Sequence, residues 1–116
     1  EKRRYQDLIA WQKAMMLTRN IYELTIDFPA QEKYGISNQL RRAAISVPSN
    51  IAEGQGRLTR GEFKQFLGHA RGSLFEVETQ VLLARDFGYI SSQQADKTIS
   101  LTAEVSRLLN GLIAAL

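Results

Sequence analysis

TRGEFKQFLGHARGSLFEVETQVLLARDFG, residues 59–88, carries the most regular pattern in the chain. Within it Phe63, Leu67, Ala70, Leu74, Val77, Val81 and Ala84 follow one another at intervals of 4, 3, 4, 3, 4 and 3. That period holds one apolar stripe on one side of an α-helix and is incompatible with the two-residue alternation of a strand. Thr59 and Glu62 stand at the T-x-x-E spacing of a capping box, and Gly88 follows the last periodic residue as a stop. The spacing predicts a helix over 60–87, with Phe66, Phe75 and Leu82 as a second apolar flank.

Working outward, Ile36, Leu40, Ala43, Val47 and Ile51 repeat at 4, 3, 4 and 4 and predict a preceding helix. Pro48 interrupts it. Its ring clashes with the Ala44 carbonyl and it has no amide hydrogen, so the helix kinks there or ends and restarts. The helix is expected to close at Gly54-Gln55-Gly56, where either glycine can adopt a left-handed cap. Nearer the N-terminus, Ala10, Ala14, Leu17, Ile21, Leu24 and Phe28 form a stripe at 4, 3, 4, 3 and 4, widened by Trp11, Met15 and Tyr22. Pro29 stops that helix. Beyond Gly88, the S-x-x-Q pair Ser91 and Gln94 opens a last helix whose stripe is read as Leu101, Val105, Leu108, Leu112 and Ala115, with Ile99 and Leu109 alongside. Four amphipathic helices on short turns make an all-α chain. The expected architecture is an antiparallel, up-down-up-down four-helix bundle, one domain over residues 1–116.

Composition narrows the function. The 116 residues are 44% apolar and 23% charged, an ordinary globular balance, and contain no cysteine, which removes disulfides, thiolate nucleophiles and thiolate metal sites. The N-terminal EKRRYQDL lacks the apolar run of a signal peptide and no window suits a membrane span. A cytoplasmic protein is expected. His69 is the single histidine and has no E-x-x-H partner; Glu53, Glu62, Glu76 and Glu78 read as caps and solvated charges. No catalytic triad order, Walker loop or dinucleotide fingerprint is present, so neither enzyme chemistry nor a metal or cofactor is expected.

Two features remain as binding candidates. The chain's net charge is +3, yet the segment from Ile36 to Arg71 alone carries +4, because Arg41, Arg42, Arg57, Arg60, Lys64 and Arg71 face only Glu53 and Glu62. These six are the candidate nucleic-acid contacts, through displacement of counterions from a phosphate backbone. Gly61, Gly68 and Gly72, with Thr79, fall on one line of the third helix away from its core stripe, although each interior glycine costs about 1 kcal/mol against alanine. They are the candidate subunit interface, because a smooth face admits a second backbone closely. Base-stacking aromatics are not expected, since the phenylalanines fit core positions. The alternative is a protein-interaction scaffold docking a partner on this seam and the kinked second helix.

YQDLIAWQKAMML, FPAQEKYGISNQLRRAAISVPSNIAEGQGR and EFKQFLGHARGSLFEVETQ together resemble the bacterial four-helix-bundle family of 23S rRNA intervening-sequence proteins. The likeness covers nearly the whole chain and is strongest from Phe28 to Glu78, with its departures mostly in the last helix. It implies a homo-oligomer, by resemblance a pentamer. It also implies similarity to the accessory variability protein of diversity-generating retroelements, which binds nucleic acid and a reverse transcriptase. On that resemblance RNA or DNA, and a protein partner of that kind, are the expected ligands.

Overall fold

The computed structural model describes residues 4–116; residues 1–3, part of the N-terminal segment read above as no signal peptide, lie outside the described residues. Four helices account for most of it: α1 (Ile9–Ile26), α2 (Ile36–Gln55), α3 (Arg60–Asp86) and α4 (Ser92–Ala115), with single 3-10 turns at Tyr5–Asp7 and Ala30–Glu32. No strand occurs among the described residues. The architecture is the expected all-α four-helix bundle. Its antiparallel sense is legible in side-chain pairs. Seven residues back along α2, from Ser46 to Gln39, is seven forward along α3, from Ser73 to Gln80; both pairs are hydrogen-bonded, at 2.9 and 3.2 Å. Lys13 with Glu104 and Asn20 with Thr98 run the same way between α1 and α4.

The α3 heptad packs as its period requires. Leu67, Ala70, Leu74, Val77, Val81 and Ala84 are buried, and only Phe63 at the helix start is half-exposed. Ala10, Ala14, Leu17 and Ile21 of α1, and Phe28 just beyond it, join them in the core, but the buried residue between Ile21 and Phe28 is Thr25 rather than Leu24. In α4 the expected stripe is displaced by one flank. The residues in the core are Ala95, Thr98, Thr102, Val105 and Leu109, while Leu101, Leu108 and Leu112 are half-buried and Ala115 is exposed. The two threonines can lie in the core because their hydroxyls are satisfied: Thr98 donates to Asn20 Oδ1 at 2.7 Å, and Thr102 has Ile99 O at 2.8 Å and Glu78 Oε2 at 3.0 Å.

Caps follow the expected chemistry with one difference. At α4 both halves of the box form, Gln94 N to Ser91 Oγ and Ser91 N to Gln94 Oε1. At α3 the Thr59 hydroxyl accepts from Glu62 N, but the Glu62 carboxylate takes the Thr59 hydroxyl instead of its amide. Gly88, at φ +79°, closes α3 with Tyr89 N bonded to Ala84 O and Gly88 N to Arg85 O, a left-handed stop that glycine reaches without strain. Gly54 and Gly56 are not such stops. Gly54 is buried inside α2, where an added Cβ would lie 2.8 Å from Phe66 Cβ and 3.2 Å from the Phe63 carbonyl oxygen. Its function is close helix approach.

Helix α2 neither ends nor restarts at Pro48; it is one helix through the proline. The carbonyl that Pro48 leaves without an intrahelical donor, Ala44 O, lies 3.0 Å from the Thr18 hydroxyl of α1. Asn50 Nδ2 reaches back to Ser46 O at 2.8 Å in the same turn.

Candidate nucleic-acid interface

At the α2–α3 corner the backbone turns within four residues, Gly56 N bonding to Ala52 O and Arg57 N to Gly54 O before Thr59 caps α3. The corner therefore projects its side chains. Arg57, Leu58, Arg60 and Lys64 are all exposed, Leu58 almost fully at 97%. The Arg57 guanidinium lies 4.7 Å from the centroid of the half-buried Phe66 ring, which fixes its stem while leaving the charge in solvent. Arg60 and Lys64 are one helical turn apart on the flank of α3. Glu62, the nearest acidic residue in sequence, is engaged by the Thr59 hydroxyl.

The other three candidate cations are elsewhere. Arg71 continues the α3 flank about 10 Å beyond Lys64, at 1.5 Å per residue, and donates to Asn110 Oδ1 of α4 at 2.9 Å. Arg42 lines a groove between α2 and α3 with Gln39, Ser46, Ser73 and Glu76. It is about 22 Å along α2 from Arg57. Its neighbour Arg41 points to the opposite side, toward α1, where Nε donates to Thr25 Oγ1 at 2.7 Å and the guanidinium lies 4.6 Å from the Tyr22 centroid. The six residues thus do not make one surface. Arg57, Arg60 and Lys64 form a corner cluster with Arg71 trailing from it. Among the described residues none of the six has an ion pair within 4 Å.

The glycine line is where the pattern places it. Gly61, Gly68, Gly72 and Thr79 are exposed on the outer side of α3, and a Cβ at any of the three glycines meets nothing within 4 Å among the described residues. What sequence reading missed is its continuation. Phe75, Leu82, Leu83 and Phe87 are 49, 36, 41 and 57% exposed, so Phe75 and Leu82 are no second core flank. Beside them a hollow of about 420 Å³ between α2 and α3 is lined by Ile36, Leu83, Phe87 and the buried Gln80, among others, and Gln80 Oε1 has no hydrogen-bond partner among the described residues. Aromatic exposure was missed too: Tyr22 and Tyr34 as well as Phe75 and Phe87 are on the surface. His69 is exposed against the edge of Phe66, 6.0 Å between centroids, and no group of three His, Asp or Glu among the described residues is placed to hold a metal.

A profile described as 23S rRNA-intervening sequence protein matches residues 6–111, the whole bundle but for its extreme ends. The chain belongs to that family. Both the basic corner and the outer face of α3 therefore lie inside the part that defines 23S rRNA-intervening sequence proteins. The same fold is seen in the crystal structure of a protein of unknown function from the S23 ribosomal protein family of Bacteroides thetaiotaomicron VPI-5482. The two superpose with a TM-score of 0.81 at 23% identity, covering 90% of this chain and 98% of that one. No curated protein matches the chain. Among the described residues, no helix of this family member is long and apolar enough to cross a membrane.

Proposed function

We propose that this 23S rRNA-intervening sequence protein is a non-enzymatic, cytoplasmic homo-oligomer that binds RNA or DNA through the α2–α3 corner. The observation that carries the reading is the exposed cluster of Arg57, Arg60 and Lys64, three cations without a carboxylate partner among the described residues, on a capped turn. Such a cluster attracts a phosphate backbone by releasing its counterions, without reading base sequence. Oligomerisation repeats the corner and converts weak single contacts into avidity. The contact between copies is assigned to the outer face of α3, from Gly61 through Gly68, Gly72 and Phe75 to Phe87, and the family resemblance sets the expected copy number at five.

Two measurements test this. Replacing Arg57, Arg60 and Lys64 together with glutamine is expected to weaken binding to a structured RNA at least ten-fold at moderate salt. It should also lower the slope of log affinity against log salt by about 2–3 per protomer engaged. Unchanged affinity and slope would place the contacts elsewhere or leave a protein scaffold without direct nucleic-acid binding. Gly68→Leu, in light scattering after size exclusion, is expected to give monomers with full helicity, because a Cβ at residue 68 meets nothing within 4 Å among the described residues. An oligomer that survives Gly68→Leu excludes the glycine face as its contact.

A further inference from the structure

The end of the bundle opposite the basic corner carries a concave surface of its own. Between the end of α1 and the start of α2, a hollow of about 540 Å³ is lined by Thr25, Phe28, Lys33, Tyr34, Ser37 and Arg41, among others. Its α2 residues, Arg41 and Ser37, are about 24 and 30 Å along the helix from Arg57, at 1.5 Å per residue. Three observations set it apart from an ordinary surface dip.

First, its charge is of one sign. Lys33 and Arg41 line it and, among the described residues, no carboxylate does. Glu23 and Asp27 line a different hollow, toward α4. Glu32 is occupied: its Oε2 accepts from the Tyr89 hydroxyl at 2.7 Å, which raises the Tyr89 pKa above the ordinary tyrosine value, and its Oε1 lies 3.4 Å from Ile36 N. Second, Arg41 is held from behind. Nε is used by Thr25 Oγ1 and one face of the guanidinium lies over Tyr22, while neither terminal nitrogen has a protein partner among the described residues. A guanidinium fixed this way presents its two-nitrogen edge to a planar or tetrahedral oxyanion. Third, Ser37 is only 8% exposed, lines the hollow and has no hydrogen-bond partner for its hydroxyl among the described residues. It lies in the first turn of α2, ahead of the first intrahelical bond, Gln39 N to Gly35 O, where amide hydrogens face outward.

A phosphate satisfies all three, but the walls ask for more than a phosphate. Tyr34 is 84% exposed with Lys33 Nζ 5.5 Å from its ring centroid, and Ile26, 71% exposed, also lines the hollow. An exposed aromatic beside cations is the arrangement on which a single-stranded base stacks while its phosphate is neutralised. We infer that the α1–α2 hollow binds one unpaired nucleotide, its phosphate between Lys33, Arg41 and Ser37 and its base on Tyr34. The inference takes the identity of its ligand from the nucleic-acid reading above. Its surface is separate from the corner: the corner grips a backbone of any sequence, and this hollow selects strands with an unpaired residue. The shared chemistry, a phosphate carrying a flat base, belongs equally to a free nucleotide and to a strand.

The test is titration of the full chain, followed by amide NMR shifts, with adenosine 5′-monophosphate, adenosine, inorganic phosphate and single-stranded hexaadenylate. The expected result is saturable shifts from Thr25 to Arg41 with the monophosphate, and binding at least ten-fold weaker for adenosine and for phosphate alone. Hexaadenylate binding more tightly than the monophosphate identifies the strand as ligand; the reverse identifies the free nucleotide. Tyr34→Ala and Lys33→Gln, at exposed positions that leave the core untouched, are each expected to cost roughly ten-fold, and Arg41→Gln more. Phosphate binding as well as the monophosphate, shifts confined to the α2–α3 corner, or binding to anionic phospholipid vesicles without any to the nucleotide would each overturn the inference. Substitution of Arg57, Arg60 and Lys64 separates the two surfaces, because it should weaken backbone binding at least ten-fold and leave monophosphate affinity within two-fold.

Discussion

Gly54→Val is expected to lower the stability of the bundle by about 2–3 kcal/mol, a penalty of overpacking, which for a chain of this size lowers the melting temperature by roughly 10 °C. The reason is positional. A Cβ at residue 54 would meet Phe66 Cβ at 2.8 Å, Phe63 Cδ1 at 2.9 Å and the Phe63 carbonyl oxygen at 3.2 Å. Carbon atoms are comfortable at about 3.5–4.0 Å. A ring edge can rotate away, but a Cβ and a carbonyl move only with their backbone, so α3 must retreat from α2. Retreat is resisted by the short turn joining them and, further along, by the Ser46–Ser73 and Gln39–Gln80 hydrogen bonds. Gly54→Ala should cost less, since alanine recovers about 1 kcal/mol of helix propensity against the same contact. Gly56→Ala is the control: its nearest atoms are at 3.6 Å and its φ is −81°, so the change should be neutral or mildly stabilising. Equal melting temperatures for Gly54→Val and Gly56→Ala would show that the close approach at residue 54 is not what holds α2 on α3.

The two glycines also show where sequence reading stops. A glycine near a helix end looks the same in sequence whether it supplies a left-handed stop or room for a neighbouring helix; only the packing of Phe63 and Phe66 against Gly54 decides. The α3 heptad was legible because every member is apolar and its period is unbroken, so register and burial coincide from Leu67 to Ala84. Helix α4 was misread by one flank for the opposite reason. Its core line contains Thr98 and Thr102, and a threonine counts as polar until its hydroxyl has a partner, which Asn20 and Glu78 supply from other helices. Charge behaves alike. The +4 between Ile36 and Arg71 was visible, but summing it along the chain hid that Arg41 and Arg42, about 100° apart on α2, must serve opposite flanks. That angle could have been read in advance. The exposure of Tyr34 and Phe75 could not, because it depends on which helix faces fall between neighbours.

The proline in α2 supports a sharper prediction, on the coupling of two residues in different helices. Pro48 has no amide hydrogen, so Ala44 O loses its intrahelical donor, and Ala44 is fully buried. Thr18 Oγ1 lies 3.0 Å from that oxygen and 2.9 Å from Ala14 O. One hydroxyl hydrogen cannot serve both fully. Ala14 O is four residues before Thr18 and already accepts the Thr18 amide within α1, so Ala44 O is the acceptor with the greater need. Thr18→Val keeps the branched shape and removes the donor. It is expected to cost about 1–3 kcal/mol, the penalty of a buried carbonyl left unpaired, and Thr18→Ser should recover most of it. In a Pro48→Ala background the amide at residue 48 is restored and can bond Ala44 O directly. There Thr18→Val should cost only a few tenths of a kcal/mol, giving a coupling energy of at least about 1 kcal/mol in a double-mutant cycle of denaturant unfolding. Pro48→Ala alone carries opposing terms, a gain in helix propensity against lost buried volume, so the single variant says little and the cycle carries the result. If Thr18→Val costs the same with and without the proline, the hydroxyl is not what allows α2 to continue through Pro48, and the carbonyl of Ala44 is accommodated some other way.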